Sequence, residues 1–179
     1  MVGLSAMAHD QPPTPAVETL TDGVNIIRDV TTQPGIDTLE GRISMLLQGE
    51  EIQSHLIELP PGSYLDEHPH ETESIIMTLG GEWVLCSRGE RTRLAEGDLF
   101  WFGPDVPTGY ENPFDGPAFL LIFKGTLLNE SPEEFVKYLE EVDAQMVAER
   151  AEGRPFTFNE LPADHPAIVF ARDIGADGF

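Results

Sequence analysis

His68 and His70 stand one residue apart in the segment Gly62-Ser-Tyr-Leu-Asp-Glu-His68-Pro-His70-Glu-Thr-Glu73-Ser74. Alternate residues of an extended strand face the same side. Two imidazoles at this spacing can therefore converge on one point, as a divalent metal requires. The plainer reading of such a pair is two polar side chains at a strand start. What surrounds the pair decides between the two.

A second segment follows downstream: Gly97-Asp98-Leu-Phe-Trp101-Phe-Gly103-Pro104-Asp105-Val-Pro107-Thr108-Gly109-Tyr110-Glu-Asn112. Together the two segments resemble the paired motifs of the cupin superfamily, over roughly residues 40–125. In the first motif Gly62, His68, His70 and Gly81 fall in register. Its glutamate slot holds Ser74, and a shift of one residue seats Glu73 instead, with Gly80 closing the motif. In the second motif Gly97 and Asn112 fit, while Gly103, Asp105 and Thr108 occupy the slots of the family's proline, glycine and histidine. The fold implied is all-β, a cupin-type double-stranded β-helix or jelly-roll barrel. One C-terminal α-helix and a terminal arm complete it.

The resemblance also implies a metal inside the barrel. First-row ions use three or four protein ligands, with water or substrate completing the shell. His68 and His70 supply two. Glu73 is the candidate third, if the strand is bulged or shifted by one residue. Glu67 and Glu71 are weaker candidates, and Thr108 is a poor ligand because a neutral hydroxyl donates weakly. The ion would be Fe, Mn, Ni or Zn. The alternative is a barrel that keeps its histidines as polar pocket residues and holds no metal. The expected pocket residues are Ser74, Met77, Trp83, Trp101, Thr108 and Tyr110. Apolar walls with a few polar groups are the usual character of a small-ligand site.

The elements that must position these residues are legible in the chain. Turn signals such as Asp22-Gly23, Pro60-Pro61-Gly62, Gly80-Gly81 and Glu96-Gly97 cut the middle into short apolar runs. The expected strands are 24–28, 42–47, 52–59, 74–79, 83–87, 91–94, 99–102 and 118–123. Periodicity alone gives a β barrel or sandwich. Ser131-Pro132-Glu133-Glu134 is a helix start, with a cap, a first-turn proline and a capping box. Phe135, Leu139, Val142 and Met146 then recur at helical spacing until Gly153 and Pro155 end the helix. The expected organisation is a flexible tail over 1–20, a barrel over 21–128, and a helix and arm over 129–179. The helix and arm pack on the barrel or on a dimer partner. Within the arm, Phe156–Phe158 and Ala167–Phe170 are expected as edge strands, and His165 as a loop histidine.

Composition bounds the function. The chain has 179 residues, 40% of them hydrophobic, enough for a real core. Its formal charge is -22, from 32 acidic and 10 basic residues, and Lys124 and Lys137 are its only lysines. Without a basic patch, nucleic acid and anionic membrane surfaces are excluded as partners. Such acidity suits a salt-rich cytoplasm or simply solubility through self-repulsion. Arg88, Arg91 and Arg93 form the densest basic cluster and are expected on a solvated edge. Cys86, the single cysteine, lies in an apolar run and reads as a buried, inert thiol. No stretch approaches about 18 continuous apolar residues, and no secretory leader is evident, so a cytoplasmic location is expected. The partners expected are a small-molecule ligand and a second copy, in a symmetric homodimer. Two functional classes remain. One is a metal-dependent cupin enzyme, an oxygenase, isomerase, decarboxylase or lyase. The other is a non-catalytic, metal-free cupin that binds a small ligand or acts as a scaffold.

Overall fold

Short runs of β-branched and aromatic residues between glycine and proline turns form strands wherever one face can be buried. A computed structural model of the chain describes residues 14–125, 131–176 and 179. The early strands are β1 (Val17–Thr21), β2 (Val24–Ile27), β3 (Ile36–Thr38), β4 (Gly41–Gln48), β5 (Gln53–Leu59) and β6 (Tyr64–His68). They are followed by β7 (Ser74–Gly80), β8 (Glu82–Ser87), β9 (Glu90–Ala95), β10 (Leu99–Phe102), β11 (Thr108–Glu111) and β12 (Ala118–Lys124). The helices are α1 (Pro132–Ala151) and α2 (Pro166–Asp173).

The strands form a six-stranded sheet in the order β10-β7-β12-β5-β4-β3 and a four-stranded sheet in the order β6-β11-β8-β9. The inner faces of the two sheets meet in one apolar core. Leu59, Ile76, Leu120 and Ile122 come from the larger sheet, and Leu65, Trp83 and Tyr110 from the smaller. Trp83 is fully buried, stacks on Tyr110 with ring centroids 5.4 Å apart, and donates its indole N–H to Thr78 Oγ1 at 2.9 Å. The β7–β8 turn demands glycine. Gly81 has φ 76°, and a Cβ there would collide with the Pro117 carbonyl.

α1 begins as its sequence dictates, with the Ser131 hydroxyl accepting from the Glu134 N–H and Pro132 in the first turn. Phe135 and Leu139 pack on Ile43, and Met146 reaches the main core. Asp143 accepts the Leu39 N–H at 2.8 Å, tying the helix to the β3–β4 turn. The apolar stripe thus lies against the open side of the barrel.

Three expectations are corrected. Val17–Thr21, expected within the tail, pairs with β2 as an exposed two-stranded ribbon, while residues 1–13 lie outside the described residues. Thr157 makes only a single bridge to Ser63, and Phe158–Glu160 turns into a short 3-10 helix. Ala167–Phe170 is helical. His165 Nδ1 accepts from the Ala167 N–H and Pro166 fills the first turn, so a capped helix outcompetes an edge strand. α2 buries Ala167, Ile168 and Ala171 against Tyr64 and Phe158.

Arg91 is not on a solvated edge either. It forks onto the Glu111 carboxylate at 2.9–3.1 Å, with both side chains almost wholly buried. Arg93 pairs with Glu82 at the surface.

Candidate functional site

Strand alternation builds the inner wall of the larger sheet in ordered rows. Gln53 on β5 pairs across with Lys124 on β12, Lys124 with Ser74 on β7, and Ser74 with Phe102 on β10. Cross-strand partners share a face. One end of the wall is therefore a polar row, Gln53-Lys124-Ser74, closed by Phe102. The next row in is His55-Ile122-Ile76, and the next is Ile57-Leu120-Thr78.

A cavity of about 430 Å³ lies against this wall. Leu65, His68, His70 and Tyr110 face it from the smaller sheet and the loop after β6, and Glu40 faces it from the β3–β4 turn. Phe135, Tyr138, Leu139, Val142 and Met146 of α1 cover it. The helix stripe is thus part of the site.

His68 and His70 come together, with ring centroids 4.5 Å apart. The Asp66 carbonyl, 2.9 Å from His68 Nδ1, can only accept. It fixes a proton on that nitrogen and turns Nε2 toward Glu40 Oε1, 3.9 Å away. His70 packs on Phe102 and Tyr110, and its buried Nε2 has no hydrogen-bond partner among the described residues. Burial, with His68 beside it, pushes His70 down to about 3. Burial likewise pushes His55 down to about 3, aided by Lys124. Both imidazoles are therefore neutral near pH 7. Burial raises the Glu40 carboxyl against the pull of His68 and Lys124, and pushes the Tyr110 phenol well above its ordinary range.

Of the expected pocket residues, only Ser74 and Tyr110 line the cavity. Glu73 does not line the cavity; its carboxylate accepts from the Trp101 indole at 2.8 Å on the outer face. Met77 and Trp101 are exposed on that same face, and Trp83 is core. Thr108 is buried as the direct cross-strand partner of His68 and is not among the residues that line the cavity. Glu67 is engaged in holding the β8–β9 turn, accepting from the Cys86 thiol and from the Arg88 and Gly89 N–H groups. Cys86 is buried, and burial with that hydrogen bond pushes its thiol up to about 12, which makes it inert. Glu71 stands at the cavity rim.

Among the described residues, no three His, Cys, Asp or Glu side chains form a metal-holding group. Two imidazoles alone fall short of the three- or four-ligand shell of a first-row ion, and the carboxylate facing them is Glu40, whose Oε1 lies 3.9 Å from His68 Nε2.

Sequence reasoning missed Glu40, Gln53, His55 and Lys124. The last three had a signal. On β5 and β12, alternate residues run polar to apolar, Gln53-His55-Ile57-Leu59 and Lys124-Ile122-Leu120.

Residues 55–124 match the cupin domain family. The barrel is similar to a putative ethanolamine utilization protein Q from Salmonella typhimurium, with TM-score 0.55, 17% identity and coverage of 63% of this chain and 94% of that one. It is also similar to an RmlC-like cupin from Shewanella frigidimarina, with TM-score 0.50, 18% identity and coverage of 57% and 91%. At these identities the likeness is one of fold. No curated protein matches the chain. Among the described residues no helix is long and apolar enough to cross a membrane.

Proposed function

We propose that this chain, which belongs to the cupin superfamily, binds a small molecule inside its barrel, in the cavity beneath α1. One observation carries the reading. Gln53 Nε2, His55 Nδ1, His70 Nε2, Thr72 Oγ1 and Ser74 Oγ are buried with no hydrogen-bond partner among the described residues, and all five residues line this cavity. Buried polar atoms are ordinarily satisfied, and leaving one unpaired costs about 1–3 kcal/mol. A cluster of them around a cavity of this size, against apolar walls, is the pattern of a ligand site.

Trp83 supplies the test. It stacks on Tyr110, which lines the cavity, and Trp101→Phe would leave it the only tryptophan. Titrating that variant with cyclohexanol, cyclohexanecarboxamide and cyclohexanecarboxylate should give a saturable fluorescence change for at least one of them. No change with any of the three would refute the reading.

A divalent ion on His68 and His70 is the second reading. The paired imidazoles and the unpaired Nε2 of His70 favour it. Elemental analysis of protein purified without a histidine tag tests it. About one equivalent of metal per chain supports it, and a trace amount rejects it.

A further inference from the structure

Every arginine and lysine of the chain lies within the described residues. Arg28, Arg42, Arg91, Arg93, Arg150, Arg154 and Lys137 each pair with a carboxylate. Arg88 and Arg172 are exposed to solvent. Lys124 is the exception. It is half-buried, it lines the cavity, and among the described residues no carboxylate lies within ion-pair distance of it. A desolvated ammonium without a partner is costly. It is stranger still in a chain of charge -22, where carboxylates are abundant.

Its neighbours in the row are donors as well. Gln53 presents an unpaired amide N–H group on one side, and Ser74 an unpaired hydroxyl on the other. The next rows in are mainly aliphatic, with Ile122, Ile76 and Leu120.

We infer that the ligand is an organic acid, its carboxylate held by Lys124 between Gln53 and Ser74 and its apolar body lying along Ile122 and Ile76. The inference rests on the ligand-site reading above and narrows its chemistry. One ammonium and two neutral donors match a single carboxylate, and a multiply charged phosphate would leave charge uncompensated. Burial lowers the Lys124 pKa and nearby Glu40 opposes it, so an arriving carboxylate would stabilise the charged form. Glu40 is the internal competitor for this ammonium.

Calorimetric titration of the full chain with cyclohexanecarboxylate and with its neutral isostere cyclohexanecarboxamide tests this. Wild type should bind the acid about tenfold or more tighter than the amide, the margin of a charge-assisted hydrogen bond. Lys124→Met should abolish that margin, mainly by weakening the acid. The fold should survive, because the change removes an unpaired ammonium and keeps the apolar stem. Glu40→Gln should tighten the acid. Equal binding of acid and amide by wild type would overturn the inference while leaving the ligand-site reading in place. So would an undiminished preference for the acid in Lys124→Met. Binding of neither probe would overturn the inference, and the ligand-site reading with it if cyclohexanol also fails to bind.

Discussion

His68 Nε2 stands 3.9 Å from Oε1 of Glu40. The carboxylate that faces the His-x-His pair therefore comes from the β3–β4 turn and not from the strand after the histidines. Glu73, the expected donor, is turned outward onto Trp101.

This placement separates the carboxylates by experiment. If a divalent ion binds His68 and His70, Glu73→Ala and Ser74→Ala should retain it, while His70→Ala should lose most of it. Elemental analysis of the three variants reads the outcome. Loss confined to Glu73→Ala would mean that the strand can shift to bring that residue inward.

Thr108 sits where a third imidazole would help. It is the cross-strand partner of His68, and the two side chains share a face. Thr108→His should raise affinity for zinc about tenfold or more, because a third nitrogen approaches a full shell. Calorimetry with zinc checks this. No gain would show that the buried position cannot seat the larger ring in a ligating pose.

Arg91 and Glu111 form the buried ion pair of the smaller sheet. Arg91→Met would leave a buried carboxylate without its partner and should destabilise the fold by about 3–5 kcal/mol. Arg93→Met breaks a half-exposed pair and should cost under about 1 kcal/mol. Urea unfolding of both variants measures the contrast. Equal losses would contradict the assignment of the burial.

His55 predicts a pH dependence. Its folded pKa is down at about 3, against about 6.5 in an unfolded chain. Below the unfolded value the unfolded state takes up a proton that the folded state refuses. The stability contributed by this group is therefore complete above about pH 6.5 and is lost as pH falls toward 3. Glu40 and Glu111, raised by burial, act with the opposite sign. The variant His55→Gln isolates the histidine. Between about pH 7 and about pH 4, wild type should lose more melting temperature than the variant. An identical loss would mean that His55 is protonated in the folded protein.

A symmetric homodimer is expected from the apolar outer face of β7 and β10. Ile75, Met77, Leu99 and Trp101 lie side by side there in register and are exposed. Contiguous exposed apolar patches mark association surfaces. Light scattering at moderate ionic strength should give twice the chain mass for wild type and a smaller mass for Trp101→Asp. A strict monomer for wild type at micromolar concentration would contradict the expectation.

The barrel was legible because its signals are local. Every strand expected between residues 24 and 123 is present, and α1 begins at Pro132 beside its Ser131 cap. Of the four strands inside the motifs, β7 and β10 are among the expected strands and β6 and β11 are not. All four residues of β11 are buried, so no alternation marks it. The site was half legible. His68 and His70 follow from their spacing along the chain, although β6 ends at His68 and His70 lies in the loop after it. Glu40 and Lys124 reach the cavity only through pairings between distant segments, which spacing along the chain does not report. Trp101 and Met77 were misplaced for a simpler reason. Alternation says that neighbours face opposite ways, but not which face is inside.

The most direct test of the ligand site is a crystal structure grown with saturating cyclohexanecarboxylate. The predicted result is the ring against Ile76 and Ile122, beneath α1, with its carboxylate within hydrogen-bonding distance of Lys124 Nζ. The acid bound only on the outer surface, with only ordered water in the cavity, would contradict the account.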